Sequence, residues 1–169
     1  MSVHVPRCER GVGLLEILIA VLVISVGFLA AARMQVEGMR FSQSAYFQSQ
    51  AQFLANDMVE RMRSNPAGVE LGAYDALDTR DGVVSPACDT VDCTPAEQAR
   101  QDAFDWAAYL DPATLGSNVV LPGSASASPR GTVTALGDRR YRVTMSWFET
   151  IAGEQSEQSL SVFFVLEST

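Results

Sequence analysis

The strongest constraint on this chain is an uncharged apolar run close to its N-terminus. From Ile17 to Ala32 it reads ILIAVLVISVGFLAAA, 16 residues in which Ser25 alone is polar. Leu14 and Leu15 extend the run backward across Glu16, with Arg7 and Arg10 before it and Arg33 and Arg40 after it. About 20 apolar residues cross a bilayer as a helix, and about 10–14 suit the core of a secretory signal; this run lies between the two. The small-x-small pattern in Phe28-Leu29-Ala30-Ala31-Ala32-Arg33 supports a cleaved signal. Glu16 opposes both that reading and a plain anchor. A carboxylate in the apolar part of an inserted helix costs on the order of 2.5–3.5 kcal/mol at mid-membrane, so one is retained where it has a task.

Composition removes several function classes. The 12 basic residues are all Arg and face 20 acidic ones, leaving a net charge of −8 and no global field that favours nucleic acid. The single histidine is His4. Once the N-terminal end is removed, neither a Ser-His-Asp triad nor a His-ligated zinc site can be built. With 47% apolar residues over 169 positions, the chain has the length and content of about one folded domain.

Between Gly13 and Asn65 nothing stops a helix. Pro is absent, and Gly27 and Gly38 are isolated, costing about 1 kcal/mol each against Ala. After the apolar run, Phe41, Ala45, Gln48, Ala51, Ala55, Met58, Val59 and Met62 recur every three or four residues. Ser44, Gln50, Asn56, Glu60 and Arg63 take much of the remaining surface. Asn65-Pro66 ends the pattern, because the residue before Pro is pushed out of the helical region. The spacing predicts a helix over Leu14–Ser64, about 77 Å long.

A loop-rich segment is expected from Ala67 to Asp92. Asp75, Asp78 and Asp81 lie there three apart without an EF-hand pattern, which reads as a solvated acidic loop. Thr94-Pro95-Ala96-Glu97 reads as a helix start, with Thr as the cap, Pro first and Glu third. That helix should run to Leu110, stopped by Asp111-Pro112, with Ala99, Ala103, Trp106, Ala107 and Leu110 on one face. Asp102 and Asp105 fall on its polar face, where solvation explains them better than acid–base work. Leu121–Pro129 reads as a flexible surface connection.

The last third alternates. Strands are expected over Thr132–Leu136, Arg139–Glu149 and Gln158–Glu167, with tight turns at Gly137-Asp138 and around Ala152-Gly153-Glu154. Tyr141, Val143, Met145 and Trp147 share one face of the second strand, and Leu160, Val162, Phe164 and Leu166 one face of the third. Core packing is preferred over an exposed aromatic stripe. The expected fold class is α+β, with one long N-terminal helix on a C-terminal antiparallel sheet and a shorter middle helix.

Cys8-Glu9-Arg10-Gly11-Val12-Gly13-Leu14-Leu15-Glu16-Ile17-Leu18 resembles the prepilin signature of type IV pilins and type II secretion pseudopilins. In that family a short basic leader ends in Gly, and Glu stands fifth in the mature chain ahead of a long apolar helix. The resemblance implies cleavage between Gly11 and Val12, N-methylation of Val12, and a register role for Glu16. It divides the chain into a leader at 1–11, a membrane or filament-core helix at 12–33 and a soluble head at 34–169. Val12 and Gly13 depart from the more usual residues at those places.

The stretch Leu54–Pro66, then Cys93-Thr94-Pro95-Ala96-Glu97 with Asp102, Trp106 and Leu110, then Leu121-Pro122-Gly123 and Tyr141–Trp147, is similar to the PilV family of minor pilins, the type IV pilus modification proteins. That resemblance implies a non-enzymatic chain with no cofactor and no metal, held in the bacterial inner membrane with its head in the periplasm and later on the pilus. Its implied partners are the prepilin peptidase, other minor pilins, the major pilin and, in systems of this family, a tip adhesin, with no nucleic acid. Two alternatives stay open: a minor pseudopilin of type II secretion, and a Sec-exported periplasmic binding protein cut after Ala32. An N-terminus at Val12 or at Arg33 separates the two export routes. With Cys8 in the leader, Cys88 and Cys93 remain; too few for a tetrahedral zinc site, they are expected to form a small-loop disulfide.

Overall fold

The computed structural model describes residues 13–82, 84–90, 92–110, 120–151 and 153–166. Helix α1 spans Leu14–Ser64, with Glu16 in its first turn and Arg61 and Arg63 in its last. It is followed by α2 (Pro66–Glu70), β1 (Ala76–Asp78), α3 (Pro95–Ala108), β2 (Arg130–Gly137), β3 (Arg140–Ile151) and β4 (Glu154–Val165). Internal contacts group the chain into two units, one up to Gln43 and one from Ser44 onward. In the first unit every described residue is exposed helix, apart from the exposed Gly13 that precedes it. The second unit holds the core and is the α+β body expected.

Proline ends α1 as the local rule requires, yet the chain does not enter a plain loop. The Asn65 side chain accepts a hydrogen bond from Gly68 N at 3.1 Å and so caps α2. Three residues of the same segment, Ala76–Asp78, pair antiparallel with β2. The expected loop at 67–92 therefore contains a helix and an edge strand. At α3 the capping box forms as read, with Thr94 N donating to Glu97 at 2.9 Å and Glu97 N to Thr94 Oγ1 at 3.3 Å. The helix ends at Ala108, and tighter bonds from Tyr109 N to Trp106 O and Leu110 N to Ala107 O carry the last turn. Leu110 is buried all the same.

The sheet is antiparallel in the order β1-β2-β3-β4. Its inner face presents Val133, Tyr141, Val143, Met145 and Trp147 to the core, so the aromatic residues of β3 are packing residues. Leu160, Val162, Phe164 and Leu166 from the last strand pack against the same core, partly buried. Both hairpin turns shift slightly from their expected places. The β2–β3 turn is centred on Asp138-Arg139, with φ of 52° and 57°, and the pairing slips between Ala135 and Gly137. Positive φ at both central residues suits the right-handed twist of the flanking strands. Strand β4 starts at Glu154, paired with Ile151, rather than at Gln158.

Helix α1 contributes Ala51, Leu54, Ala55, Met58, Val59 and Met62 to the core. Phe41, Ala45 and Gln48, expected on that stripe, are exposed, while Ser44, Phe47 and Gln50 are half-buried. The first three lie roughly 60–120° round the helix axis from Ala51, so spacing alone misplaces them. Leu121–Pro129 is also better anchored than a flexible connection. Leu121 is buried, Phe148 N donates to Pro122 O at 3.0 Å, and Ser124 N donates to Ala127 O at 2.8 Å.

One glycine sets the distance between α3 and the sheet. A Cβ at Gly131 of β2 would lie 2.5 Å from Trp106 Cη2, far inside contact distance. Trp106 cannot retreat freely, because its Nε1–H donates to Leu54 O at 2.9 Å across the core. Gly131→Ala is expected to lower stability by about 1–3 kcal/mol, the usual cost of overpacking. A urea titration checks this through a lower midpoint at unchanged slope; an unchanged midpoint would reject the close-approach account.

Candidate assembly surface

The N-terminal part of α1 is a continuous apolar surface. Leu14, Leu15, Ile17, Leu18, Val21, Leu22, Ile24, Phe28 and Leu29 are each more than half exposed, from 52% to 82%. Mean hydropathy reaches 2.7 over an 18-residue window of this helix, enough by length and composition to cross a membrane. No soluble monomer leaves such a surface in water without cost; lipid or other apolar helices are what cover it. Glu16 is exposed on the same helix, in the first turn, with its backbone N–H donated to Gly13 O at 2.9 Å. A carboxylate there lies at the positive end of the helix dipole, where it is favoured. Gly11 and Val12, the expected cleavage pair, lie outside the described residues.

The second unit carries a buried polar cluster that the sequence reading placed in solvent. Asp102 is 4% exposed. It accepts a hydrogen bond from the Tyr74 hydroxyl at 2.5 Å, from Gln98 at 3.2 Å and from Arg61 at 3.5 Å. Arg61 also binds Asp57 one turn earlier at 2.8 Å and Asp105 at 3.4 Å. Asn65 donates to the Tyr74 hydroxyl at 3.0 Å and to Pro95 O at 2.8 Å, completing a bridge between α1, the 71–75 turn and α3. A signal was present: Asp102 stands with Ala99, Ala103 and Trp106 at helical spacing on the apolar face. The carboxylate is buried because three donors converge on it.

These contacts move several groups from their ordinary behaviour. Burial, and then the bond it donates to Asp102, pushes the Tyr74 phenol well above its usual value. Burial and a hydrogen bond to Asp75 push Tyr141 up to about 12. Burial alone would lower the Arg61 guanidinium, and Asp57, Asp102 and Asp105 more than reverse that. A phenol raised on folding stabilises the native state fully below its unfolded value near 10, and that contribution is lost as pH climbs through the folded value. The thermal unfolding midpoint is therefore expected to drop between pH 10 and 12. The drop should be shallower in Tyr141→Phe; an equal slope in wild type and variant would refute the assignment.

The acidic trio does not form a site. Asp75 accepts from Tyr141 at 3.1 Å, and Asp78 is bound by the Arg130 guanidinium and by Arg80 N. Burial raises Asp78, and the contacts from Arg130 and Arg80 together more than reverse that and lower it. Among the described residues no cluster of His, Cys, Asp and Glu could hold a metal ion. Cys88 and Cys93 are joined in a disulfide with Cα atoms 5.4 Å apart. The segment entering the disulfide is held on α3, where Ser85 Oγ donates to Gln101 Oε1 at 2.8 Å and Cys88 N to the same oxygen at 3.4 Å.

Residues 33–104 match the Tt1218-like family model, type IV pilin Tt1218. The match to this type IV pilin family starts within α1 and ends within α3, so it includes Arg61, Tyr74, Asp102 and the disulfide loop. It covers fewer than half of the 169 residues, and the Gly11–Glu16 region precedes it. No curated protein and no solved structure matches the chain.

Proposed function

We propose that this chain is a type IV pilin, and specifically a minor pilin of the PilV kind that helps initiate pilus assembly as part of a tip complex. The observation that carries the pilin reading is the family match over 33–104, which joins the amphipathic half of α1 to the body it packs on. The PilV level rests on the ordered resemblance from Leu54 to Trp147. In this reading 1–11 is a leader removed by the prepilin peptidase, 12–33 is held in the inner membrane, and 34–169 is the periplasmic head. Other minor pilins and the major pilin are its partners, joined by a tip adhesin in systems that carry one, and the role is structural.

Glu16 supplies register in this scheme. After cleavage at Gly11, the new amino group of Val12 and the Glu16 carboxylate form a charge pair, within the chain or with a neighbour. In apolar surroundings an unpaired carboxylate is costly and a paired one much less so, so the pair draws the subunit to one depth. Glu16→Ala is expected to leave cleavage intact and to reduce surface pili toward the level of a strain lacking the gene. The unfolding midpoint of the head should not move. N-terminal sequencing and shearing of pili measure both; normal piliation with Glu16→Ala, where deletion alone reduces pili, would sink the register role. A mature N-terminus at Arg33 would instead reject the pilin reading.

A further inference from the structure

Helix α1 starts at a defined residue. Glu16 N donates to Gly13 O at 2.9 Å and Ile17 N to the same oxygen at 3.3 Å, which makes Gly13 the N-cap and Leu14 the first helical residue. A helix running further back would give Glu16 N to the carbonyl four residues earlier. It goes instead to the carbonyl three residues earlier, the tighter bond found at helix ends. Tertiary packing does not fix this point. Gly13 and Leu14–Leu18 are exposed, and a Cβ at Gly13 would meet nothing within 4 Å. What residue 13 is, rather than what it touches, therefore sets the start.

Two preferences at that residue act in the same direction. At an N-cap Gly stands well ahead of Ala, with Asn and Ser level with it or better. Inside a helix the order inverts, Ala being the best residue and Gly among the worst. Gly13 thus favours a helix that starts at Leu14 over one that continues back through Val12. In a continued helix the Gly11 carbonyl would accept from Leu15 N and be tied into the ladder. That carbonyl belongs to the bond cut in the pilin reading. Hydrolysis adds water to the Gly11 carbonyl carbon and breaks its bond to Val12 N, leaving a carboxylate on Gly11 and an ammonium on Val12. A peptidase has to polarise the oxygen and reach the carbon, and both require a carbonyl released from any helix.

We infer that Gly13 is a positioning residue for leader removal: as the N-cap it stops α1 short of the Gly11–Val12 bond, so that the Gly11 carbonyl can be presented to the prepilin peptidase. The inference rests on the pilin reading and adds to it a residue that acts through backbone conformation. It is separate from the register role of Glu16, which operates after the cut. It also gives a physical reason why Gly is accepted at a place where the family more often has Thr or Ser. All three are favoured N-caps, although they share no side-chain chemistry that a peptidase could read.

The order of cleavage rates among substitutions separates capping from size. The full chain is expressed in membranes with a prepilin peptidase, and loss of the leader is followed by pulse-chase, with the new N-terminus sequenced. Gly13→Ala adds one methyl group and removes a good cap, and should slow cleavage by roughly five- to tenfold. Gly13→Asn and Gly13→Ser are larger but cap well, and should be cut at close to the wild-type rate. A steric or sequence-reading role would give the opposite order, with Asn slower than Ala. Gly13→Ala cut as fast as wild type, or Gly13→Asn slowed as much as Gly13→Ala, would overturn the inference while leaving the pilin reading intact. A wild-type chain that is not cut between Gly11 and Val12 would reject the pilin reading and this inference with it.

Discussion

Replacing Trp106 with Ala is expected to remove about 3–5 kcal/mol of stability, the largest loss from any single truncation in the head. The indole is fully buried, packs directly over Gly131 and donates to Leu54 O, so it joins α3, β2 and α1 at one point. An ordinary domain has only about 5–15 kcal/mol in total, so the variant should approach unfolding at growth temperature. Trp106→Phe keeps much of the ring and loses the N–H bond, and should cost less. The two sites are coupled. Gly131→Ala is harmful because of the ring, so the same change made in Trp106→Ala should cost little. Urea midpoints for the four chains measure that coupling, and additive losses would show that Gly131 is needed for some other reason.

Asp102→Ala should follow closely, with a loss of about 3–5 kcal/mol, because it strands the partners of a buried charge. Tyr74, Gln98 and Arg61 would all point at an empty acceptor site. Asp102→Asn keeps an acceptor and removes the charge, and should cost distinctly less. Arg61 retains Asp57 and Asp105 and is partly solvated, so Arg61→Ala should be milder than Asp102→Ala. Equilibrium unfolding ranks the three variants. Equal, small losses would mean that Asp102 is solvated in the working protein, as its sequence context had suggested.

The contrast between these two sites shows how far local signals reach. The limits of α1 were legible because an absent proline, a continuous apolar run and Asn65-Pro66 act on the backbone where they stand. The same holds for the Thr94-Glu97 capping box and the alternation along β3, which need no distant partner to be recognised. The apolar surface around Glu16 was equally plain, since composition alone makes it costly in water.

Asp102 was misread as a solvated surface charge because its burial depends on Tyr74 and Arg61, 28 and 41 positions away. Its spacing with Ala99, Ala103 and Trp106 pointed to the buried face, but only the donors that meet there make burial of a carboxylate tolerable. Gly131 carried no signal; its need is created by an indole from another element. The anchoring of Leu121–Pro129 and the pairing of β1 were likewise decided by a core that exists only after α1, α3 and the sheet have met. The sequence alone determined the long helix, the capped middle helix, the three C-terminal strands and which surface cannot stay in water, because propensity, capping and hydropathy are local properties. The tertiary structure alone decided which polar groups leave water, because desolvating a charge is tolerable only where distant donors have already converged.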